Sequence, residues 1–415
     1  MSDERGPFGR ALRLLATVLV AAPLTADAFA GSAPSRGGTA TVTARPIAAF
    51  KPSEPGRTRF GDLEFLGGLV LSSDDGAFQS LSALVSRDQG RELISVSDEG
   101  DWIGLRLKTD AAGRPLAVDD VRIAPLRDAE GRLFPNKWER DSESLAFRPA
   151  PGGGEFLVLT DNGFGAKANS PDAMLFFHRL KADFEGGKIE RSATTFLHDS
   201  DKKVPFRIAN EGTEKRYLTG ADFDPESIQP IGDKIWIAEE FGPYLIRVDQ
   251  SGKVEAVFET LIDGKPARSP DHFAVTTPAA PNLPVAFNVR RSKGYEGMAQ
   301  SPDGRFLYPL LEGPLWNAET KGNEELDGKE VLRILEFDVQ NEKWTGRSWF
   351  FPLEQKGLAI GDFNMIDSTT ALIIERDNGE GTADKACAAG QKGPDCFHDL
   401  AKFKRIVKIE MNDAN

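Results

Sequence analysis

The chain is built on a repeated unit, whose second copy starts with Glu143-Ser-Leu-Ala-Phe147 and ends with Phe156-Leu-Val-Leu-Thr-Asp161-Asn-Gly163. Comparable openings recur about every seventy residues. They are Ser82-Ala-Leu84, Glu226-Ser-Ile228, Glu296-Gly-Met-Ala299 and Asp362-Phe-Asn-Met365. Self-similarity at a fixed period indicates one supersecondary unit that is stacked or arranged around an axis.

The end of each unit is an apolar run that stops at an acidic residue, roughly fifteen residues after the opening. The other ends are Ser97-Asp98-Glu99-Gly100, Glu239-Glu240-Phe241-Gly242, Leu311-Glu312-Gly313 and Glu375-Arg376-Asp377-Asn378-Gly379. Asp-Gly and Asn-Gly pairs are good turn formers, so a turn explains any one of these acids alone. The opening glutamates are harder to explain, because Glu is not a favoured strand residue. The set as a whole favours a metal or substrate site.

Each unit contains three predicted strands. In the second unit they are Ser144–Arg148, Phe156–Leu159 and Met174–Leu180. Long helical periodicity is absent after the N-terminal region, and antiparallel sheets repeated around an axis make a β-propeller, an all-β fold. Five units are evident. The 83-residue interval between Glu143 and Glu226, together with the sheet-like Phe60–Leu71 segment, predicts a sixth blade.

The N-terminus has the pattern of a secretory signal peptide. Arginines precede a nine-residue, largely apolar run from Leu14 to Ala22, and small residues follow up to Ala30. This run is too short to span a bilayer, which takes ~20 residues. We predict a signal peptide over 1–30, a flexible leader over 31–58 and a single propeller domain over 59–412. The mature chain is then periplasmic or secreted and has no transmembrane segment.

The two cysteines, Cys387 and Cys396, lie in an irregular polar loop. An exported protein meets an oxidising compartment, so we expect them to form a disulfide. The chain has no C-x-x-C motif that would suggest a metal or redox role.

The composition argues against a nucleic-acid or anionic-membrane partner, because both require a basic surface and the net charge is −13. The four histidines are not spaced as ligand pairs, which disfavours zinc and histidine-bound iron. All-oxygen ligation points to Ca²⁺, and less well to Mg²⁺, which demands octahedral order. Without a G-x-S-x-G, phosphate-loop or dinucleotide-binding motif, the remaining chemistries are metal-activated water and acid–base catalysis by carboxylates.

Antiparallel pairing places both acids of a unit at the same end of the propeller, because the first opens strand one and the second closes strand two. We therefore expect the catalytic residues Glu143, Glu226 and Glu296 near the axis, with Asp362 beside them. The predicted metal ligands around them are Asp98, Asp141, Asp161, Glu240, Glu312, Glu375 and Asp377. The neighbouring basic residues predicted to bind a substrate phosphate are Arg140, Arg291, Lys293 and Arg376. For any one of them, an ordinary ion pair is the simpler explanation.

Several of these segments resemble the phytase-like, or "esterase-like activity of phytase", domain family. They are Ser97-Asp-Glu-Gly100, Arg140-Asp-Ser-Glu-Ser-Leu-Ala146, Lys293-Gly-Tyr-Glu-Gly-Met-Ala299 and Leu372-Ile-Ile-Glu-Arg-Asp-Asn378. The resemblance covers about Phe60 to Ile409 and implies a β-propeller whose acidic motifs carry phosphoesterase activity. The first unit departs from the family pattern, with Gln79-Ser-Leu-Ser-Ala83 where a Gly-Gly-Leu-Ser-Gly type of segment is expected.

These observations lead to one functional prediction and two alternatives. The prediction is an exported, monomeric, Ca²⁺-dependent phosphoric ester hydrolase that acts on a small phytate-like or phosphodiester substrate. The first alternative is a non-catalytic, calcium-binding propeller that binds a ligand or an envelope partner. The second is a lactonase-like metal hydrolase.

Overall fold

The computed structural model of the chain describes 38–78, 81–98, 100–126, 142–149, 154–161, 167–183, 188–276, 278, 283, 285–381, 383–391 and 396–412. The predicted signal peptide and the start of the leader lie outside the described residues, as do Arg140 and Asp141. Among the described residues, no helix has the length and apolar character needed to cross a membrane.

The first five strands are short and precede the propeller. They are β1 (Gly38–Thr39), β2 (Thr43–Pro46), β3 (Arg59–Phe60), β4 (Leu63–Glu64) and β5 (Leu69–Ser72). β2 pairs with β5, and β3 pairs with β4, both antiparallel.

The remaining strands form five antiparallel blades. Blade one contains β6 (Leu81–Arg87), β7 (Glu92–Ser97), β8 (Asp101–Thr109) and β9 (Pro115–Pro125), with β1 paired to β9. Blade two contains β10 (Ser142–Arg148), β11 (Glu155–Thr160), β12 (Phe176–Asp183) and β13 (Lys188–Phe196). Blade three contains β14 (Pro225–Ile231), β15 (Lys234–Glu239), β16 (Tyr244–Val248) and β17 (Val254–Glu259), and the hairpin of β18 (Leu261–Ile262) and β19 (Lys265–Pro266) follows it.

Blade four contains β20 (Tyr295–Gln300) and β21 (Phe306–Leu311), the short strands β22 (Trp316–Asn317), β23 (Gly322–Asn323) and β24 (Glu325–Leu326), and then β25 (Lys329–Asp338) and β26 (Lys343–Pro352). Blade five contains β27 (Ala359–Met365), β28 (Thr370–Arg376) and β29 (Lys404–Glu410). The helical segments described are single 3-10 turns at Asp88–Gly90, Lys167–Asn169 and Ala383–Lys385.

This architecture confirms the predicted all-β propeller. The first strand of each blade lies beside the first strand of the next, in the order β6, β10, β14, β20 and β27. Neighbouring inner strands are tied together by side chains. The Ser227 hydroxyl donates to the Glu296 carbonyl at 2.5 Å, and the Gln229 side-chain amide donates to the Met298 carbonyl at 2.7 Å. The second strands contain continuous apolar runs because they are buried on both faces, as in Phe156–Leu159 and Ile235–Ala238.

The predicted sixth blade is wrong, because the described part of the chain forms five. The Phe60–Leu71 segment contributes to two short strand pairs, the β3–β4 hairpin and the pair of β5 with β2, and neither forms a four-stranded blade. The β3–β4 hairpin reaches blade five, where Asp62 lies 3.2 Å from the Lys408 ammonium. Residues 197–224, between blades two and three, form turns and isolated bridges instead of strands.

The core lies between adjacent blades. One cluster joins blades two and three, a second joins blades three and four, and a third joins blades four and five. On the face of blade five away from blade four, Ile374 and Ile406 pair across β28 and β29 and are 40% and 50% exposed. The loop before β29 is closed by the predicted disulfide between Cys387 and Cys396.

Candidate functional site

A β-bulge marks the start of the inner strand in every blade. The pairing between the first and second strands skips one residue at the same place each time. The skipped residues are Ser82, Glu143, Glu226, Glu296 and Gly361. A bulge leaves its extra residue outside the ladder and re-aims its side chain. In three blades, the residue aimed in this way is a glutamate.

The second strand of each blade returns its own polar residue to the same end. The residues that close these strands or follow them are Asp98, Asp161, Glu240, Glu312 and Arg376. In two blades a backbone bond fixes this approach. The Glu240 N–H donates to the Asp224 carbonyl at 2.9 Å, and the Glu312 N–H donates to the Gly294 carbonyl at 2.8 Å. The start of strand one and the end of strand two are therefore held side by side.

Five carboxylates from blades three and four form two overlapping triads. Asp224, Glu226 and Glu240 make the first triad, and Glu240, Glu296 and Glu312 make the second. Within each triad, one carboxylate oxygen per residue lies within 4.8 Å of the others. Asp224, Glu240 and Glu312 are buried, so a large negative charge is held away from bulk solvent.

Two glycines make this close approach possible. A Cβ atom on Gly294 would lie 2.5 Å from the Glu240 Cα and 2.6 Å from its carbonyl oxygen. A Cβ atom on Gly313 would lie 2.7 Å from the Lys293 Cδ. The backbone of blade four can therefore pack directly on Glu240, and the Lys293 stem can lie across Gly313.

The buried Glu239 carboxylate orders the loop that carries Glu240. Its oxygens accept backbone N–H bonds from Phe241 at 2.9 Å, Gly242 at 2.7 Å and Tyr244 at 2.7 Å. Each of these bonds gives a backbone N–H group the hydrogen-bond acceptor that a buried N–H requires. Glu239 thus holds the turn that directs Glu240 into the cluster.

Among the described residues, two basic side chains pair with the Glu296 and Glu312 side of the cluster. The Lys293 ammonium donates to Glu312. The Arg376 guanidinium donates to the same carboxylate at 3.1 Å and lies 3.6 Å from a Glu296 oxygen. Arg376 also donates to the Asn378 side-chain carbonyl at 2.8 Å. The cations therefore compensate Glu296 and Glu312 directly.

The pKa values respond to burial and to crowding of like charge. Burial, followed by the Asp224 charge, raises the pKa of both Glu226 and Glu240 well above the ordinary value. Burial and the Glu312 charge raise the pKa of Glu296 to about 7, against the opposing effect of Arg376 and Lys293. A carboxyl group with a pKa near neutrality suits general acid–base catalysis. Perturbed groups in such a cluster mark a candidate functional site.

The remaining predicted residues lie in different places. Glu143 is close enough for its charge to raise the pKa of Glu226. Asp98 accepts a hydrogen bond from Ser82, the bulge residue of blade one. Asp161 and Glu143 are outside both triads, and Asp362 is exposed on β27, one residue after its bulge.

Three residues that were predicted as ligands or phosphate binders have structural partners away from the triads. Glu375 is fully buried, pairs with Arg405 and accepts the Glu354 N–H at 2.7 Å. Asp377 accepts backbone N–H bonds from 402 and 403 at 2.7 and 2.9 Å. Arg291 lies 3.1 Å from Asp271. In blade five, the counterpart of Glu240 is the basic residue Arg376.

Asp224 is the cluster member that the sequence reasoning did not assign. It stands two residues before Glu226, in the same relation as Asp141 to Glu143. That Asp-x-Glu spacing was the available signal.

The site can hold a hard cation. Its side-chain donors are carboxylate oxygens, and neither triad includes a histidine or a cysteine. This donor set fits Ca²⁺ and disfavours zinc, whose sites are usually built with cysteine or histidine.

Comparison with known proteins identifies the family of the chain. No curated protein matches the chain. Among solved structures, the chain resembles Sqt1 of Saccharomyces cerevisiae with 9% identity and a TM-score of 0.35, over 81% of this chain and 76% of that chain. That likeness is too distant to carry an argument. The family profile described as "Phytase-like: Esterase-like activity of phytase" matches residues 76–154 and 147–415. The chain therefore belongs to the phytase-like family.

Proposed function

We propose that the chain is an exported, Ca²⁺-dependent phosphoric ester hydrolase that works at the channel mouth of the propeller. The observation that carries the proposal is the convergence of the two carboxylate triads with Lys293 and Arg376. Family membership supports a phosphoesterase type of hydrolase with a small-molecule substrate.

The carboxylates are suited to hold the metal. Oxygen donors in this number match the needs of Ca²⁺ better than those of Mg²⁺. When bound, the ion would polarise a phosphoryl oxygen and lower the pKa of a coordinated water.

The protein side chains have separable tasks in this proposal. Glu296, whose pKa is raised to about 7, would accept a proton from the attacking water. Lys293 and Arg376 would hold the phosphate by charge-assisted hydrogen bonds, and the planar guanidinium can donate two at once. Glu239 would keep Glu240 in position through its loop contacts.

A substrate panel tests the proposal. The purified protein is assayed on phosphomonoesters, phosphodiesters and lactones, with added Ca²⁺ and with a chelator. We expect turnover of phosphoesters that the chelator abolishes and Ca²⁺ restores. Turnover of lactones alone would favour a lactonase-like hydrolase. Tight Ca²⁺ binding without turnover on the panel would favour a binding propeller.

A further inference from the structure

Two described basic side chains pair with the second triad. Glu296 and Glu312 are matched by Lys293 and Arg376, two negative charges against two positive ones. The first triad lies on the other side of Glu240. In the described part of the chain, Glu226 and Glu240 have neither an ion pair nor a side-chain hydrogen bond.

Glu240 is the strongest indication of a missing ligand. The residue is only 6% exposed, yet its carboxylate lies in both triads without a hydrogen-bond donor among the residues that the structure describes. Burying a charged group without a partner is costly, so such groups pair or coordinate metals. Gly294 packs on the Glu240 backbone, and Glu239 holds the turn that follows it, so the Cα of Glu240 is fixed beside the first triad.

We propose that Glu240 divides the site into two unlike subsites: a single-cation subsite of Asp224, Glu226 and Glu240, and a phosphate subsite at Lys293 and Arg376. The assignment rests on the proposed function and specifies where each charged partner binds. A second divalent cation at Glu296 and Glu312 would lie beside two fixed basic groups, and like charges at such distances repel.

The phosphate subsite keeps unused donor capacity. An ammonium has three N–H donors and a guanidinium has five. Within the described residues, Lys293 donates a hydrogen bond to Glu312. Arg376 donates one hydrogen bond to Glu312 and one to Asn378. Both side chains are partly exposed, at 33% and 26%. In this arrangement Glu312 holds the two basic groups in place until a phosphate binds. The cation in the neighbouring subsite then offsets the repulsion between the phosphate and the Glu312 carboxylate.

Binding measurements test the assignment without any turnover. The metal-free protein is titrated with Ca²⁺ by calorimetry and with Tb³⁺ by luminescence. Phenylphosphonate, a non-hydrolysable phosphomonoester analogue, is then titrated at saturating Ca²⁺. We expect one cation per chain. The pair Asp224→Asn and Glu226→Gln should weaken cation binding at least 100-fold, and the melting curve shows whether the variant is folded.

Lys293→Met is the decisive variant, because methionine keeps an apolar stem against Gly313 and removes the charge. We expect its phenylphosphonate affinity to fall at least tenfold, and a second cation to bind at Glu296 and Glu312. Arg376→Gln should behave alike. Arg305→Gln, at the opposite end of blade four, should change neither titration.

Two cations per wild-type chain would overturn the assignment. So would unchanged phenylphosphonate affinity in Lys293→Met, or no second cation in either charge-removed variant. Failure of the function has a different signature. If both ligands bind as expected but no phosphoester is hydrolysed, the proposed hydrolase function is wrong and the two subsites stand. If phosphoesters are hydrolysed with two cations bound, the function stands and the subsite assignment is wrong.

Discussion

Glu296 is the carboxylate that lies between the two kinds of charge in the site. It is within 4.8 Å of Glu240 and Glu312 oxygens, and Arg376 is 3.6 Å away. Glu296→Gln keeps the size of the side chain and removes its charge. We expect kcat on a phosphoester substrate to fall by ~10²–10⁴-fold, as for a positioned acid–base group. Stability without metal should be unchanged or higher, because like-charge repulsion is relieved.

The control for this variant is Glu342→Gln. Glu342 is an exposed partner of Arg247, and surface pairs of this kind contribute about 0–1 kcal/mol. Its kinetics should match those of the wild type. A Glu296→Gln protein with full turnover would remove Glu296 from the mechanism.

Gly294 has no side chain, and this allows its backbone to pack directly against the backbone of Glu240. Gly294→Ala would place a Cβ 2.5 Å from the Glu240 Cα, and backbone atoms cannot move aside as a flexible side chain can. We expect a loss of about 1–3 kcal/mol in unfolding free energy, typical of overpacking, together with weaker Ca²⁺ binding. Denaturant unfolding and calorimetry measure the two effects. Gly212→Ala, with no atom within 4 Å of its added Cβ, should be neutral in both.

Among the elements, the second strands and their order could be predicted from sequence, and the bulges could not. Continuous apolar runs such as Phe156–Leu159 identify buried strands without tertiary information. A bulge depends on which residue of the partner strand is opposite, so the pattern at Asp362 could not show that Gly361 is the skipped residue. For the same reason, Glu375 and Asp377 were assigned to the site together with Arg376, and of these three only Arg376 is recorded in contact with a triad carboxylate. The sixth blade failed because the length of a segment does not determine its pairing.

The disulfide loop is an element whose contribution can be measured directly. Cys387 and Cys396 are separated by nine positions and close the loop that precedes β29. Replacing both by serine should lower the unfolding free energy by about 2–3 kcal/mol, the chain-entropy value for so short a loop. Chemical denaturation of the oxidised wild type and the double variant gives the difference. Because the loop lies outside both triads, Ca²⁺ affinity should be retained; its loss would show that the loop supports the site.

For the whole molecule, the acid cluster predicts an unusual dependence of stability on pH. The folded-state pKa of Glu296 is raised from 4.5 to about 7, so between these values the folded chain keeps a proton that the unfolded chain has lost. Without metal, stability should therefore fall as pH rises through this window, by ~3 kcal/mol from Glu296 alone. Ca²⁺ held at Glu240 lies close to Glu296 and favours its ionised form, so it should reduce this loss.

Thermal melts at pH 5 and pH 8 measure this effect, each with a chelator and with Ca²⁺. We expect the chelated protein to melt lower at pH 8, and Ca²⁺ to raise the melting temperature more at pH 8 than at pH 5. At a hundredfold excess over Kd, a ligand that binds only the folded state stabilises by about 2.7 kcal/mol. Glu296→Gln should reduce the pH dependence. Identical melts under all four conditions would contradict the prediction.

Because of the recurring bulge, the side chains at the five skipped positions can differ from blade to blade without affecting the stability of the fold. Backbone register brings the five skipped positions to the mouth whatever side chain they carry, and here they carry serine, glutamate and glycine. A Cβ on Gly361 would meet its nearest atom, the Arg376 Nε, at an ordinary 3.7 Å. A new functional group can therefore be installed there without repacking the interior. The bulge residue of each blade can therefore be substituted independently of the others, so the chemistry of the channel mouth can change one blade at a time while the fold stays the same.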